Sequence, residues 1–346
     1  MRLSLLNVHA AGEIGRVILD GAPAVPGASV ADKLRYLNEV DDGLRRFCTN
    51  EPNGFCQMST NLLLPPIESG TDAGFIVLQP DAAHAMSGSN AICVTTALLE
   101  TGRVAMREPE TVVRLDTAAG IVEARARCEG GRARSVRLAM PWSFAEALDA
   151  EIEAAGLGRV RVDLAFGGVF YALVDPAPLG LEIRPEAAGR LARVGMRILD
   201  AVRARHRPVH PERPGIRGVA YLMFRGQDGH NATVMPPGRI DRSPCGTGSS
   251  ARLAAAHARG EVGAGYEAAF RSILGTRFGA RILAEGRVAG RPAVRPEIEG
   301  EGTVYGREDL WLDPPENARP SDCWGDCWGD CRGDCRGVAA DDPAAT

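Results

Sequence analysis

The chain is nearly without lysine: Lys33 is the only one, and every other basic side chain is arginine. Enzymes that use pyridoxal phosphate to acidify an amino-acid α-carbon need a Schiff-base lysine. Lys33 sits between Asp32 and Leu34 at the start of an amphipathic pattern, a poor setting for that role. Any amino-acid chemistry is therefore expected to be cofactor-free. Long apolar runs are also absent. No stretch approaches the roughly 20 apolar residues of a membrane span, and the opening Met1-Arg2-Leu3-Ser4-Leu5-Leu6 is too short for a signal peptide. A net charge of −4 without a basic stripe gives nucleic acid no footing. A cytoplasmic protein with reduced thiols is the expectation, and a homodimer is compatible with it. Cysteine is scarce outside the tail, where Cys323, Cys327, Cys331 and Cys335 recur every fourth residue. Zinc clips use paired cysteines around one tight turn plus distant partners. Uniform spacing lacks that, so 317–346 is expected to be a disordered low-complexity tail with no metal site.

What is present is a duplicated device. Met86-Ser87-Gly88-Ser89-Asn90-Ala91-Ile92 and Pro244-Cys245-Gly246-Thr247-Gly248-Ser249-Ser250 each put a small nucleophile on a Gly-containing turn before an apolar helix. Laying Ser87 on Cys245 also lays Gly88 on Gly246, Ala97 on Ala255, Gly102 on Gly260 and Val104 on Val262. Two such helices facing each other would place one reactive group on each side of a substrate, which suits proton transfer at a stereocentre. Helix-start dipoles and free N–H groups lower a thiol pKa and hold carboxylates. Cys245 is thus expected to be an activated acid/base, with a buried structural cysteine as the alternative. Ser87 is its weaker partner or, equally, a helix cap. Asp241 could pair with a substrate ammonium or close an Asx turn. His84 could reach the cleft, though an idle loop histidine fits as well. Cys48, Cys56, Cys93 and Cys128 read as structural.

Periodicity predicts strands over Phe75–Leu78, Thr111–Leu115, Arg159–Leu164, Val169–Val174 and Arg217–Phe224, and helices through Leu34–Leu44 and Ala187–Val202. Ser143-Phe144-Ala145-Glu146 matches a capping box, so a helix is expected from there to Gly156. The class is α+β, mixed α/β. Two similar domains are expected: 1–122 with about 284–316 around Ser87, and 123–283 around Cys245.

Asp241-Arg242-Ser243-Pro244-Cys245-Gly246-Thr247-Gly248, with Ser250-Ala251-Arg252-Leu253-Ala254, resembles the second catalytic motif of the proline racemase family. Met86-Ser87-Gly88 with Asn90 and Ile92 is similar to its first motif. Asn50-Glu51-Pro52-Asn53-Gly54, Gly167–Ala172 and Ser272–Phe278 resemble further segments, and the likeness runs from Leu3 to Pro314. It implies a diaminopimelate-epimerase-like fold: two pseudo-symmetric domains, each a curled sheet around a central helix, with the site between. It also implies that Cys245 is acid/base, that Ser87 opposes it, and that Gly88, Ser89, Asp241, Gly246 and Thr247 bind a small-molecule substrate, hydroxyproline or proline. The family's first cysteine is replaced here by Ser87, its usual histidine by Ser89, and the Asn of its Gly-Gly-Asn segment by Val169. A lone cysteine suits a one-face elimination better than two-base inversion. The expected activity is therefore trans-3-hydroxy-L-proline dehydration, by α-proton abstraction and loss of the 3-hydroxyl to a pyrroline-2-carboxylate. A 4-hydroxyproline 2-epimerase or proline racemase is the alternative, and a non-catalytic amino-acid-binding protein the third reading.

Overall fold

A computed structural model describes residues 1–311, and the tail over 317–346 lies outside them. The fold is mixed α+β, with five α-helices among the described residues: α1 (Val30–Glu39), α2 (Gly43–Thr49), α3 (Gly88–Glu100), α4 (Ala188–Arg205) and α5 (Gly246–Ala258). Among the described residues no helix is long and apolar enough to cross a membrane.

The duplicated device sits in a duplicated topology. In the first lobe, strand Arg16–Asp20 leads through α1 and α2 to a parallel partner, Thr60–Leu64. That strand turns back into antiparallel Ala73–Leu78, a two-residue strand Ala83–His84 follows, and α3 begins. In the second lobe, Phe170–Val174 leads through α4 to parallel Val219–Arg225. Antiparallel Asn231–Met235, the two-residue strand Arg239–Ile240, and then α5 follow. Each central helix has 13 residues. The lobes join through strand Arg291–Gly300, whose one edge is lined by Arg277–Val288 and whose other edge pairs with Ser143–Phe144 near its start and with Val136–Ala139 at its end.

Burial explains why the central helices lack an amphipathic stripe. A helix apolar all round belongs inside, and Gly88 through Leu99 are all buried. α3 is wrapped by strands Arg2–Ala10, Arg132–Ala139 and Gly302–Trp311, α5 by Ser143–Ala154, Gly158–Phe166 and Arg291–Gly300. Hydroxyls inside these helices are satisfied locally: Thr95 and Thr96 donate to the Ala91 and Ile92 carbonyls at 2.8 and 2.9 Å. Buried polar groups left unpaired would cost about 1–3 kcal/mol each. The amphipathic helices lie outside. α1 buries Val30 and Leu37, α4 buries Leu191, Ile198, Leu199 and Val202.

One expectation needs correction. Ser143–Ala154 is a strand, not a helix. Phe144 enters the cluster of Phe166 and Phe170, its ring 5.4 Å from that of Phe166, and the segment pairs antiparallel with Gly158–Phe166. Tertiary burial outweighs the local cap signal. The side-chain capping box in the fold lies instead at Ser29 and Asp32, opening α1. The core packing bears on where the lobes divide. Strands Val122–Glu129 and Arg132–Ala139 bury Val122, Ala124, Ala126, Val136 and Leu138 in the core shared with α3. A cut after 122 would separate these strands from their own core. We propose the boundary near Met140 and Pro141 instead.

Candidate active site

Ser87 and Cys245 are the N-cap residues of α3 and α5. The two helices meet end to end. A methyl group built on Gly88 would stand 2.9 Å from the Gly246 Cα, and one built on Gly246 would stand 3.0 Å from the Gly88 Cα. Backbones approach this closely only where both residues lack a side chain. The caps are thus held on facing helix starts, and Gly88, Ser89, Gly246 and Thr247 gather there, all buried. The first N–H groups of both helices have no intrahelical partner and favour negative charge.

Ser87 is held by its neighbours. Its Oγ accepts from Asn90 Nδ2 at 2.9 Å and Asn90 N at 3.4 Å, and lies 3.2 Å from Ser89 Oγ. Asn90 Oδ1 is fixed in turn by Asn61 Nδ2 at 2.8 Å and Ser59 Oγ at 3.1 Å. With donors on both lone pairs of Ser87, its own hydrogen points away from Asn90, toward Ser89 or the gap. On the other side, Cys245 Sγ lies 3.2 Å from the Tyr171 hydroxyl, which lies 2.7 Å from Thr247 Oγ1. Asn231 Nδ2 ties down the Pro244 carbonyl and Ser249 Oγ, both at 3.1 Å. Gly167 lies so close beneath α5 that a methyl there would be 2.1 Å from the Thr247 carbonyl oxygen.

The expected lowering of the Cys245 thiol is not found. Burial, and then the Asp241 charge, push it up to about 12, while the Tyr171 and Thr233 hydroxyls and the Gly248 N–H pull the other way. Cys245 is only 6% exposed, so desolvation of the thiolate outweighs the helix start. Asp241 is itself raised, to about 7, by burial and by the Glu13 carboxylate, against the Ser243 hydrogen bonds and Arg239. Its Oδ1 accepts from Ser243 N and Ser243 Oγ, both at 2.8 Å. It is therefore an Asx turn and a buried acid at once.

Lys33 is elsewhere, its Nζ donating to the Val25 carbonyl at 2.6 Å. Cys48, Cys93 and Cys128 are buried in the cores, and Cys56 is half-buried. His84 does reach the interior. Its Nε2 lies 3.2 Å from Asp81, and its ring lies 5.4 Å from that of Tyr221. Tyr221 follows Tyr171 at 5.7 Å and donates to Gln79 Oε1 across the lobes at 3.2 Å. A cavity of about 1100 Å³ opens between the lobes on this side, lined by Asp81, His84, Val169 and Ala220 among others. Ser87 and Cys245 are not on its wall, but Val169 is, and it packs in the apolar cluster that holds Cys245. Sequence reasoning missed Tyr171, Asn90, Asn61, Gln79, Glu13 and Arg239. Among the described residues no group of three or more His, Cys, Asp or Glu could hold a metal ion.

The chain is similar to known proteins along nearly its whole length. The chain is 50% identical to a 4-hydroxyproline 2-epimerase of Agrobacterium fabrum, over 93% of this chain and 96% of the relative. It is 52% identical to one of Allorhizobium ampelinum, over 90% and 91%. The crystal structure of a hydroxyproline epimerase from Agrobacterium vitis, with bound trans-4-hydroxy-L-proline, superimposes with a TM-score of 0.90 at 50% identity, over 95% of this chain and 98% of that one. A probable proline racemase from Agrobacterium radiobacter K84, with bound carbonate, gives 0.92 at 49% identity, over 96% and 99%. A predicted epimerase of Pseudomonas aeruginosa, 14% identical with a TM-score of 0.54 over 90% of this chain and all of that one, shares the fold alone. The expected diaminopimelate-epimerase-like architecture holds. The expected trans-3-hydroxy-L-proline dehydratase does not, because relatives at about half identity carry the name 4-hydroxyproline 2-epimerase. That expectation weighed Ser87 as an isolated alcohol, whereas the fold surrounds it with Ser89 and the Asn90 donors. The proline racemase model matches residues 5–319, and the chain belongs to the proline racemase family.

Proposed function

We propose that this protein is a 4-hydroxyproline 2-epimerase, which inverts the α-carbon of 4-hydroxyproline without a cofactor. The observation that carries the proposal is the end-to-end meeting of α3 and α5 at Gly88 and Gly246, with Ser87 on one side and Cys245 on the other. The names of the relatives and the trans-4-hydroxy-L-proline bound to one of them support the substrate.

In this reading the substrate carboxylate lies against the free N–H groups of the two helix starts, at Gly88 and Ser89 and at Gly246 and Thr247. Those groups stabilise the charge that builds on the carboxylate as the α-proton leaves. The ring ammonium pairs with Asp241. That pairing ionises Asp241 and cancels the negative field that raises the Cys245 thiol. Cys245, with Tyr171 donating to it, handles the proton on one face. Ser87 handles it on the other: the Asn90 donors steady its oxygen, and its hydrogen is free to be passed on. Both caps come from one chain. The cavity beside His84 is the approach route, and a reducing cytosolic setting suits a catalytic thiol.

Incubation with trans-4-hydroxy-L-proline in D₂O tests the proposal, with chiral chromatography and ¹H NMR as readouts. The expected result is cis-4-hydroxy-D-proline carrying deuterium at C2, lost on Cys245→Ser. Purified, folded protein that gives neither inversion nor α-exchange would refute it.

A further inference from the structure

We propose that Glu13 is a positioning residue that sets the distance between the two capping residues, by fastening the first lobe to the segment of the second lobe that ends in Cys245. The proposal rests on the reading of the site given above. Glu13 lies in the two-residue strand Glu13–Ile14, is 4% exposed, and points across the lobe junction. Its Oε1 accepts from Arg239 Nη1 at 3.1 Å and its Oε2 from the Arg242 backbone N–H at 2.9 Å. One carboxylate therefore grips the 239–242 segment at two points.

Each end of this clamp leads to a cap. On the first lobe, Gly15 follows two residues later and presses on α3 so tightly that a methyl would lie 2.8 Å from Cys93 Sγ and 2.9 Å from Asn90 Oδ1. Arg16 comes next, and its carbonyl accepts from Asn61 Nδ2 at 3.1 Å. Asn61 also holds Asn90, and Asn90 holds Ser87. On the second lobe, Asp241 lies between the two gripped residues. It accepts from Ser243 Oγ at 2.8 Å, and Ser243 Oγ accepts from Cys245 N at 3.1 Å. Glu13 is thus the one carboxylate, among the described residues, in bonding contact with both Arg239 and the Arg242 N–H, and on each side a few residues of backbone connect it to the hydrogen bonds that hold Ser87 and Cys245.

Stability alone does not account for the pair. Burying an ion pair is often no better for stability than well-packed apolar groups, and its best-attested use is fixing register. Here Arg239 is 2% exposed, and its Nε and Nη2 have no partner among the described residues, so it is under-satisfied there. The clamp also bears on charge. Asp241 is faced by Glu13 from the first lobe, by Arg239 on its own segment, by Tyr221 on strand Val219–Arg225, and by Cys245. Removing the Glu13 charge removes the like charge that raises Asp241.

The test compares the full chain with Glu13→Gln, Glu13→Ala and the double variant Glu13→Leu/Arg239→Met. Readouts are kcat and KM for α-deuterium exchange on trans-4-hydroxy-L-proline, its pH profile, the melting temperature, and the rate of Cys245 alkylation by iodoacetamide. Misplacing reacting groups by about 1 Å costs on the order of 100-fold in rate. Glu13→Ala is expected to lower kcat by at least about tenfold with a smaller change in KM. Glu13→Gln keeps the bond to Arg242, loses less, and moves the acid limb to lower pH as Asp241 ionises more easily. The double variant is expected to recover melting temperature but not kcat, because apolar replacement restores packing without the clamp. Recovery of kcat by the double variant, or a folded Glu13→Ala with unchanged kcat, would overturn the inference. If Glu13→Ala does not fold, Glu13→Gln and the double variant decide. Wild-type turnover tests the function separately. Should it be absent, faster Cys245 alkylation in the variants supports the clamp, and an unchanged rate rejects it.

Discussion

Gly88→Ala isolates the meeting of the two helix starts. Its added methyl would lie 2.9 Å from the Gly246 Cα and 3.5 Å from Gly246 N and C. Carbon atoms settle at roughly 3.5–4.0 Å, so α3 and α5 must part by roughly 0.6–1 Å. The obstacle is backbone, and no flexible side chain can move aside. Stability should change little. Alanine gains about 0.5–1 kcal/mol over glycine in a helix, and overpacking costs about 1–3 kcal/mol. Catalysis should change much more, because the displacement falls directly between Ser87 and Cys245. A loss near 100-fold in kcat is expected for a shift of about 1 Å, equivalent to about 2.7 kcal/mol of barrier. Deuterium exchange at C2 of 4-hydroxyproline measures the first quantity and chemical denaturation the second. Gly189→Ala in α4 is the control, since its methyl meets nothing closer than 3.5 Å, the far end of the Arg193 side chain. If Gly88→Ala exchanges α-deuterium as fast as the wild type, the helix starts do not set the geometry of the reaction.

Three further outcomes are expected. Tyr171→Phe removes a hydroxyl 3.2 Å from Cys245 Sγ that helps the thiolate, so kcat should fall about tenfold and the pH–rate profile should shift upward; an unchanged profile would remove Tyr171 from the mechanism. Asp241 has a raised pKa in the folded state, so the native protein holds a proton that the unfolded chain has already lost. Its contribution to stability is complete below about pH 4 and is lost as pH rises through about 7, with a slope of at most about 1.4 kcal/mol per pH unit. Urea denaturation of Asp241→Asn across that range should lack this decline, and an identical decline would mean that other groups cause it. Leu98→Ala, in the sealed core around α3, should cost about 2–5 kcal/mol in the same assay; a loss under about 1 kcal/mol would mean the site collapses around the cavity.

The caps were legible because everything that makes them is local: a nucleophile, a glycine, an apolar helix and a glycine stop. The strands at Phe75–Leu78 and Phe170–Val174 were legible for a similar reason, as each is wholly buried and apolar. Their partners were not. Tyr171 lies 74 residues from Cys245, Asn61 lies 29 from Asn90, and Glu13 lies 226 from Arg239. None belongs to a spacing pattern, because folding alone joins them. Ser143–Glu146 misled for the opposite reason. Its local pattern was sound, but Phe144 is worth more inside the aromatic cluster than its neighbours gain as a cap. The state of Cys245 was misjudged likewise: a helix start is visible in sequence, and the depth of burial that overrides it is not.

Cys245 carries a backbone φ of 64° and ψ of 106°, in territory that glycine enters freely and other residues resist. Strain of this kind costs of order 1–3 kcal/mol and persists where surrounding structure enforces it. A glycine in its place would relax the turn and leave the protein sturdier and inert. Screens that reward robustness alone would therefore drift toward erasing the sulfur, and only a screen that also demands turnover would keep it.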